Sequence, residues 1–320
     1  MAVENGDASD DARSSSQEFA EAEAARLSEK YPPKFSSPEE WSARRDEVLR
    51  RLKSETFGSW PDGEEKTKLK REQSEAREGV RFSRFTFKSD EHNELLFFLA
   101  HRDGLEPGEL DLVVLNVLGE VGWREFLSGI GGAFPAFFPE ADFPDFDEEL
   151  FQSEARMHKN MKWGMAYLPP RGIGPTAEDW SLEHDGQIDE NLVLLGLSVE
   201  SLQVWDIRQG LRALRSLDGM DAPNLWFQAS GKMAANTLYA SLYEEGLYRV
   251  DLHDLPVSHR EGPVYPGILG ITDLPEVAAI AAERTRLILY TAEPEAWSHL
   301  ESIGELLGWE KRFQLREPVE

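Results

Sequence analysis

Side chains that could act as a nucleophile, a base or an acid occur in the last third of the chain. Ser230 follows the apolar run LWFQ, and the helix-like segment GKMAANTLYA begins directly after it. His259 lies in the loop LPVSHREGP, and Glu293 follows the apolar run RLILYT. A hydroxyl, an imidazole and a carboxylate are the groups of nucleophilic and acid–base catalysis. They can form one site if the strands before them are parallel, because open parallel sheets bind ligands beyond the carboxyl ends of their strands.

The elements around these residues alternate between strand and helix. In order they read NLWFQAS, GKMAANTLYASLYEEG, YRVDLHDLP, LPEVAAIAAE, RLILYT, EPEAWSHLESIGELLG and KRFQLRE. Strands that alternate with helices imply right-handed crossovers and a mainly parallel sheet. Upstream, RFSRFTFKS and NELLFFLAHRDG predict a hairpin, and the apolar run Leu110 to Leu118 predicts a fully buried strand. We therefore predict an α/β fold with a doubly wound, mainly parallel sheet and helices on both faces.

The front of the chain has a different composition. Residues 1–34 are acidic and rich in serine, which predicts a disordered tail, with a frayed helix over Glu18 to Leu27. Residues 35–77 predict a helical appendage and a charged linker. Its helix begins with Ser37 as the cap, Pro38 in the first turn and Glu40 as the partner in a capping box. Residues 78–320 then form one α/β domain.

The order of these segments resembles that of the acetyl xylan esterase-like branch of the α/β-hydrolases. The resemblance runs through WGMAYLPPRGIGPT, LLGLSVESLQVWDIRQGLRAL, LWFQASGKMAANTLYAS and LPVSHREGP, and it covers nearly the whole chain after residue 35. In that family a Trp-Asp-x-x-Arg helix precedes the nucleophile strand. This chain has Trp205 and Asp206, but its arginine is Arg208, one position earlier than in the family pattern.

The resemblance implies hydrolysis of a carboxylic ester, such as the acetyl ester of a carbohydrate, by a serine, a histidine and an acid. It implies a nucleophile at Ser230, an orienting acid at Glu293 and a histidine base after the last strand, for which His259, or less favourably His299, would be the substitute here. The backbone of Gly119, Glu120 and Gly231 would bind the oxyanion. No cofactor is implied.

Several positions depart from this pattern, and they favour a second hypothesis. The nucleophile motif G-x-S-x-G is absent, and the helix register places Gly231 where the serine belongs, with Ser230 one residue early. No histidine occurs in the last segment, KRFQLREPVE. The alternative is therefore a catalytically inactive hydrolase-fold protein that binds a ligand or partner, in which His259 only orders its loop.

Other candidates have structural explanations. Ser198, in GLSVE, precedes an amphipathic helix and is typical of a helix cap. Glu295 and His299 could pair on one helix face. The acidic stretch ADFPDFDEEL lacks the glycine and the spacing of a calcium loop, so it predicts a solvated helix start and not a metal site. The phenylalanines of residues 134–146 predict an apolar rim or lid over the site.

Composition limits the partners. The formal net charge is −26, which disfavours a nucleic acid or an anionic membrane surface and leaves a small-molecule or carbohydrate ester as the expected partner. The chain has no cysteine, so disulfides and thiolate chemistry are excluded. The first residues contain no signal-like apolar segment, which favours the cytoplasm, or export if a leader is missing from this sequence. The sequence does not indicate an oligomeric state.

Overall fold

The computed structural model describes residues 15–61, 67–139, 141–180 and 187–318. Its strands are β1 (Lys70–Arg77), β2 (Val80–Lys88), β3 (Glu94–Arg102), β4 (Leu112–Val117), β5 (Trp163–Leu168), β6 (Asn224–Ser230), β7 (Leu247–His253), β8 (Arg286–Tyr290) and β9 (Phe313–Arg316). Its α-helices are α1 (Ser15–Ser28), α2 (Pro38–Arg51), α3 (Glu120–Phe126), α4 (Glu148–Asn160), α5 (Gln187–Leu194), α6 (Val199–Arg215), α7 (Gly231–Ser241), α8 (Leu274–Arg284) and α9 (Ser298–Leu307). Among the helices described, none is long and apolar enough to cross a bilayer.

All nine strands lie in one sheet, in the order β1-β2-β3-β5-β4-β6-β7-β8-β9. The first three strands and the pairing of β3 with β5 are antiparallel. From β5 to β9 the neighbours are parallel. The predicted α/β fold with a mainly parallel sheet is confirmed, and so is the hairpin of β2 and β3.

One face of the sheet is covered by α2, α6, α7, α8 and α9, which share a single apolar core with it. Val113, Phe227, Val250 and Leu287 supply the sheet side of that core. Helices α2, α6 and α8 begin where the short polar side chains of Ser37, Ser198 and Asp273 cap them. Ser198 accepts a hydrogen bond from the backbone N–H of Ser201 at the start of α6, so its predicted role as a cap is confirmed.

The opposite face carries a second, aromatic core under α3 and α4, over β2, β3 and β5. Phe82 stacks on Phe98 and Phe134, and Phe137 is fully buried beside them. The predicted rim of phenylalanines over the site is therefore wrong for Phe134, Phe137 and Phe138, which are buried core residues. Proline and glycine in that segment suggested a loop, but the apolar rings fold back onto the sheet.

The front helices are attached to the domain. The frayed helix predicted over Glu18 to Leu27 corresponds to α1, while the acidic residues 1–14 lie outside the described residues. Helix α2 begins with Ser37 and Pro38 as predicted. The Glu40 side chain accepts from the N–H of Ser36, one residue earlier than in a capping box.

The linker before residue 78 contains a strand that the sequence did not suggest. Seven of the eight residues of β1 pair with residues of β2, so the sheet begins before the predicted boundary of the α/β domain. Its sequence, KREQSEAR, is polar on both faces because β1 is an edge strand with little to bury.

Candidate functional site

The carboxyl ends of four parallel strands align at one edge of the sheet. Ser230 is the register partner of His253, His253 of Tyr290, and Tyr290 of Arg316. Side chains at paired positions of parallel strands project from the same face. These four residues, the last of β6, β7, β8 and β9, therefore form one row, which we call the edge row.

The bend between β6 and α7 is centred on Gly231. Its φ angle is +59°, in the left-handed region, and a Cβ built there would meet no atom within 4 Å. Glycine adopts this conformation without the steric cost that other residues meet. The strand-to-helix bend expected between Gln228 and Met233 is thus present, with open space but no side chain at its tip.

Ser230, the predicted nucleophile, lies one residue before the bend in extended backbone, with φ −129° and ψ 152°. It occupies the cap position of α7, but its side chain caps no backbone N–H. The residue is exposed. Within the described part of the chain its hydroxyl has no hydrogen-bond partner.

His259, the predicted base, is buried in the core with both ring nitrogens hydrogen bonded. Nδ1 lies 2.9 Å from the carbonyl oxygen of Pro263, and Nε2 lies 2.8 Å from the hydroxyl of Tyr239. A carbonyl only accepts, so Nδ1 carries the proton and Nε2 accepts from the tyrosine. Burial lowers the pKa of His259. Its lone pair is already engaged, and no hydrogen bond joins the ring to Ser230.

Glu293, the predicted acid, precedes a short 3₁₀ turn, Pro294–Trp297, and is exposed. Its backbone N–H donates to the Thr291 hydroxyl at 3.0 Å, and its carboxylate has no bond to a histidine among the described residues. His299 packs instead against Trp41 and Phe35, and burial lowers its pKa to about 4. Among the described residues, no hydrogen bond therefore joins the predicted serine, histidine and acid.

The predicted oxyanion residues Gly119 and Glu120 lie at the end of a loop that contacts the helix beginning at Gly231, the third predicted oxyanion residue. Gly119 caps α3 and Glu120 is the first residue of that helix. A Cβ on Gly119 would lie 3.4 Å from Cγ of Met233, in the first turn of α7. The loop after β4 thus lies against the first turn of the helix that begins at Gly231.

The edge row contains three residues that the sequence did not single out. The rings of His253 and Tyr290 stack with centroids 4.2 Å apart and planes 4° apart. Nη1 of Arg316 donates to the Tyr290 hydroxyl at 3.1 Å. Burial lowers the pKa of His253, which favours the neutral form of the ring, while the charges of Asp251 and Asp254 oppose this shift. The signal available in the sequence was that each is the last residue of its strand.

Stacking constrains what His253 can do. The nitrogen lone pairs of an imidazole lie in the ring plane, and the ring shares a face-to-face contact with Tyr290 on the neighbouring strand. Ser230, the register partner of His253, lies on β6, the neighbouring strand on the other side of β7. Next to this pair, Asp254 has a φ angle of +49°, a strained conformation of the kind that gathers at functional sites.

The Trp-Asp pair of α6 anchors the loop that follows β5. Asp206 is fully buried and accepts from the Arg171 side chain at 2.8 and 2.7 Å and from its backbone N–H at 3.0 Å. Trp205 donates to the carbonyl of Ser89 at 2.9 Å. Arg208 lies among the rings of Trp60, Trp205 and Tyr243 and pairs with Glu244. These contacts fix α6 to the loop after β5, to Ser89 and to Glu244.

No cluster of three or more metal-ligating side chains occurs in the described residues. In the acidic stretch 141–150, Asp147 accepts from the N–H of Leu150 and caps α4. This agrees with the helix start predicted there.

No protein-family model matches the sequence, and no curated protein is similar to it in sequence. Solved structures are similar in fold. A Bacteroides fragilis protein named as an acetyl xylan esterase is 15% identical with a TM-score of 0.70, over 97% of this chain and 84% of the other. A glucuronoyl esterase from Solibacter usitatus is 12% identical with a TM-score of 0.58, over 88% and 89% of the two chains.

An acetyl xylan esterase from Paenibacillus sp. R4 is 10% identical with a TM-score of 0.50 and is covered over 92% of both chains. Likenesses at this level of identity establish architecture, while activity depends on the residues of the site. Together with the strand order and the bend at Gly231, they show that this chain has the α/β-hydrolase fold found in these esterases.

Proposed function

We propose that this protein uses the α/β-hydrolase fold to bind a ligand at the carboxyl edge of the sheet and does not cleave esters with a serine triad. The observation that carries the proposal is Gly231. It occupies the tip of the bend with a left-handed φ angle and open space around the missing side chain. A nucleophile at the tip of such a bend is what the esterase chemistry requires.

The positions of the other predicted catalytic residues support this proposal. A triad works through two hydrogen bonds, one from the serine to the histidine and one from the histidine to the acid. His259 uses its nitrogens for Pro263 and Tyr239, and Glu293 is exposed without a histidine partner. Neither bond exists among the described residues.

We propose a small carbohydrate, free or esterified, as the ligand. The similar structures carry the names of esterases that act on xylan acetyl and glucuronoyl esters. The edge row offers hydroxyl and guanidinium donors at Ser230, Tyr290 and Arg316, which suit the oxygen-rich surface of a sugar. The imidazole of His253 adds further hydrogen-bonding nitrogens.

Turnover of p-nitrophenyl acetate tests the proposal. We expect wild type and Ser230→Ala to release nitrophenol at the same slow rate, with Ser302→Ala, on the exposed face of α9, as the matched control. A rate in wild type at least 100-fold above that of Ser230→Ala, with Ser302→Ala unchanged, would refute the binding proposal.

The alternative is a carboxylesterase in which Ser230 attacks the ester carbonyl, the ester C–O bond breaks and the alcohol leaves with the serine proton; water then hydrolyses the acyl-enzyme to the free acid and Ser230. Its exposed, unpartnered hydroxyl at the sheet edge favours this reading. The reaction also needs a base to take the serine proton, and the candidate for it is His259, with Glu293 orienting it. The rates at which wild type, Ser230→Ala and Ser302→Ala hydrolyse p-nitrophenyl acetate distinguish the two functions.

A further inference from the structure

The sheet has a surface that neither core uses. Along β6 to β9, side chains alternate between the core under α6–α9 and the opposite side, because successive residues of a strand point to opposite faces. Phe227, Val250, Leu287 and Leu315 pack on the helix side. We call the other set the open face: Trp226, Gln228, Ser230, Arg249, Asp251, His253, Arg286, Ile288, Tyr290, Gln314 and Arg316.

The open face has no helix packed across it in the described part of the chain. On this side of the sheet, α4 lies over β2, β3 and β5, and the aromatic core ends there. Asp251 and Ile288 at the centre of the open face are buried, while the residues around them are half-buried or exposed. The helix layer that continues across the other side of the sheet is therefore interrupted here.

The open face is basic in a protein that is strongly acidic. It carries Arg249, Arg286 and Arg316 against the single carboxylate of Asp251, while the chain as a whole has a formal charge of −26. Arg249 is paired with Asp251. Arg286 and Arg316 have no carboxylate partner among the described residues. Complementary potentials steer association, so this face favours a negatively charged occupant.

Two N–H groups on the open face also lack acceptors. Nε1 of Trp226 and Nε of Arg286 are buried and have no hydrogen-bond partner among the described residues. Buried polar groups are nearly always paired, so such groups need an explanation. The guanidinium of Arg249 lies 4.3 Å over the Trp226 ring and covers it. A carboxylate that draws Arg249 aside would supply the missing acceptors.

An exposed aromatic residue, Tyr248, lies near the amino end of β7, at the opposite end of the strands from the edge row. Tyr248 is 52% exposed and stacks on Trp226 with planes 6° apart. Aromatic residues and arginine are the types enriched at the centres of protein interfaces. The four strands span roughly 15 Å, and an α-helix with its side chains is about 10 Å wide. One helix therefore fits the gap beside α4.

We propose that the open face binds an amphipathic α-helix of a partner protein, with carboxylates facing Arg249 and Arg286 and apolar side chains on Trp226 and Tyr248. The partner helix completes the layer that α4 begins. This role is separate from ligand binding at the carboxyl edge, because Arg286 and Tyr248 lie at the amino ends of their strands.

Selection from a random 16-residue peptide library displayed on phage tests the proposal. We expect enriched peptides to be acidic, with apolar residues at helical spacing. Fluorescence anisotropy of the best peptide should show binding weakened about tenfold by Arg286→Glu and by Tyr248→Ala. Arg50→Glu, on the exposed side of α2, is the matched control and should bind within about twofold of wild type.

Circular dichroism confirms that each variant is folded before binding is compared. Enriched peptides without net negative charge, no enrichment, or equal effects of Arg286→Glu and Arg50→Glu would each overturn the proposal. A dimer in light scattering that Arg286→Glu dissociates would overturn it in favour of a second copy of this chain. Binding of polygalacturonate without any enriched peptide would overturn it in favour of an acidic glycan.

Discussion

Gly231 combines a φ angle of +59° with open space on the side where a Cβ would project. A side chain there would meet no neighbour, so its only cost is the left-handed backbone, about 1–2 kcal/mol for a residue with a Cβ. The position is therefore selective for glycine through conformation and not through packing. The fold therefore requires the bend at this position but does not require a nucleophile at its tip.

Gly231→Ala should lower the free energy of unfolding by about 1 kcal/mol, measured by urea denaturation. Gly270→Ala is the matched control, because that glycine also has nothing within 4 Å of a Cβ but has no left-handed φ angle. It should leave stability unchanged or raise it slightly. Equal losses in both variants would contradict the conformational explanation.

Glu154 is a second residue whose environment predicts a measurable effect. Burial raises its pKa to about 7, and one carboxylate oxygen has no partner among the described residues. The folded state therefore holds the proton more tightly than the unfolded chain. Stability from this group is present below the ordinary pKa of 4.5 and is lost as pH rises through about 7.

Glu154→Gln removes that loss. At pH 8 the variant should be more stable than wild type by about 2–3 kcal/mol, and at pH 4 the two should be equal. Thermal melts across this range give the difference. Glu149→Gln, at the exposed start of α4, should follow wild type at every pH. A constant offset for Glu154→Gln would contradict the titration.

At the scale of elements, α2 is bound to α8 by a buried ion pair. Arg44 donates to both carboxylate oxygens of Glu276 at 2.8 and 2.9 Å, and Glu276 is fully buried. The Thr272 hydroxyl donates to the same carboxylate at 2.7 Å. The helix expected as an appendage is therefore part of the domain's packing.

Glu276→Ala leaves the Arg44 guanidinium without its partner in a partly buried place. We expect a loss of about 3 kcal/mol in the free energy of unfolding, measured with urea. Glu55→Ala breaks the exposed pair with Arg51 in the turn that follows α2 and should cost under about 0.5 kcal/mol. A small loss for Glu276→Ala would mean that α2 is held by its apolar residues alone.

The sequence predicted the elements that have strong patterns. The strands β4 to β8 are short apolar runs between helices, and burial on the helix side makes such runs readable. The strand β1 was not predicted, because its polar sequence shows no alternation of apolar and polar residues. The prediction also failed for the phenylalanines of residues 134–138, because proline and glycine suggested a surface loop where the rings form a core.

Candidate residues were harder to predict than elements. The bend at Gly231 followed from the helix register, since one local pattern contains it. The stacking of His253 on Tyr290 joins residues 37 positions apart that meet only through strand register. Likewise, nothing local indicates that Tyr239 and Pro263 engage both nitrogens of His259.

At the scale of the whole molecule, charge is the dominant feature. A formal charge of −26 makes the folded state repel itself, and salt screens that repulsion. The screening length falls from about 30 Å at 0.01 M to about 10 Å at 0.1 M ionic strength. The open face, with its excess of arginine, is a local exception to this field.

The melting temperature should therefore rise by at least about 2 °C between 0.01 and 0.1 M sodium chloride, measured by differential scanning calorimetry. The exposed pair of Arg81 and Asp103 is weakened by the same salt but contributes little. A melting temperature that falls with salt would show that ion pairs outweigh the net repulsion.

The two edge strands of the sheet differ from its central strands in a way that affects aggregation. At one margin β1 is charged along most of its length, with Lys70, Arg71, Glu72, Glu75 and Arg77 in eight residues. At the other margin β9 has only four residues. Charged or very short outer strands resist pairing with strands of other molecules. Concentrated solutions should therefore stay free of fibrils, as long as the native sheet is intact.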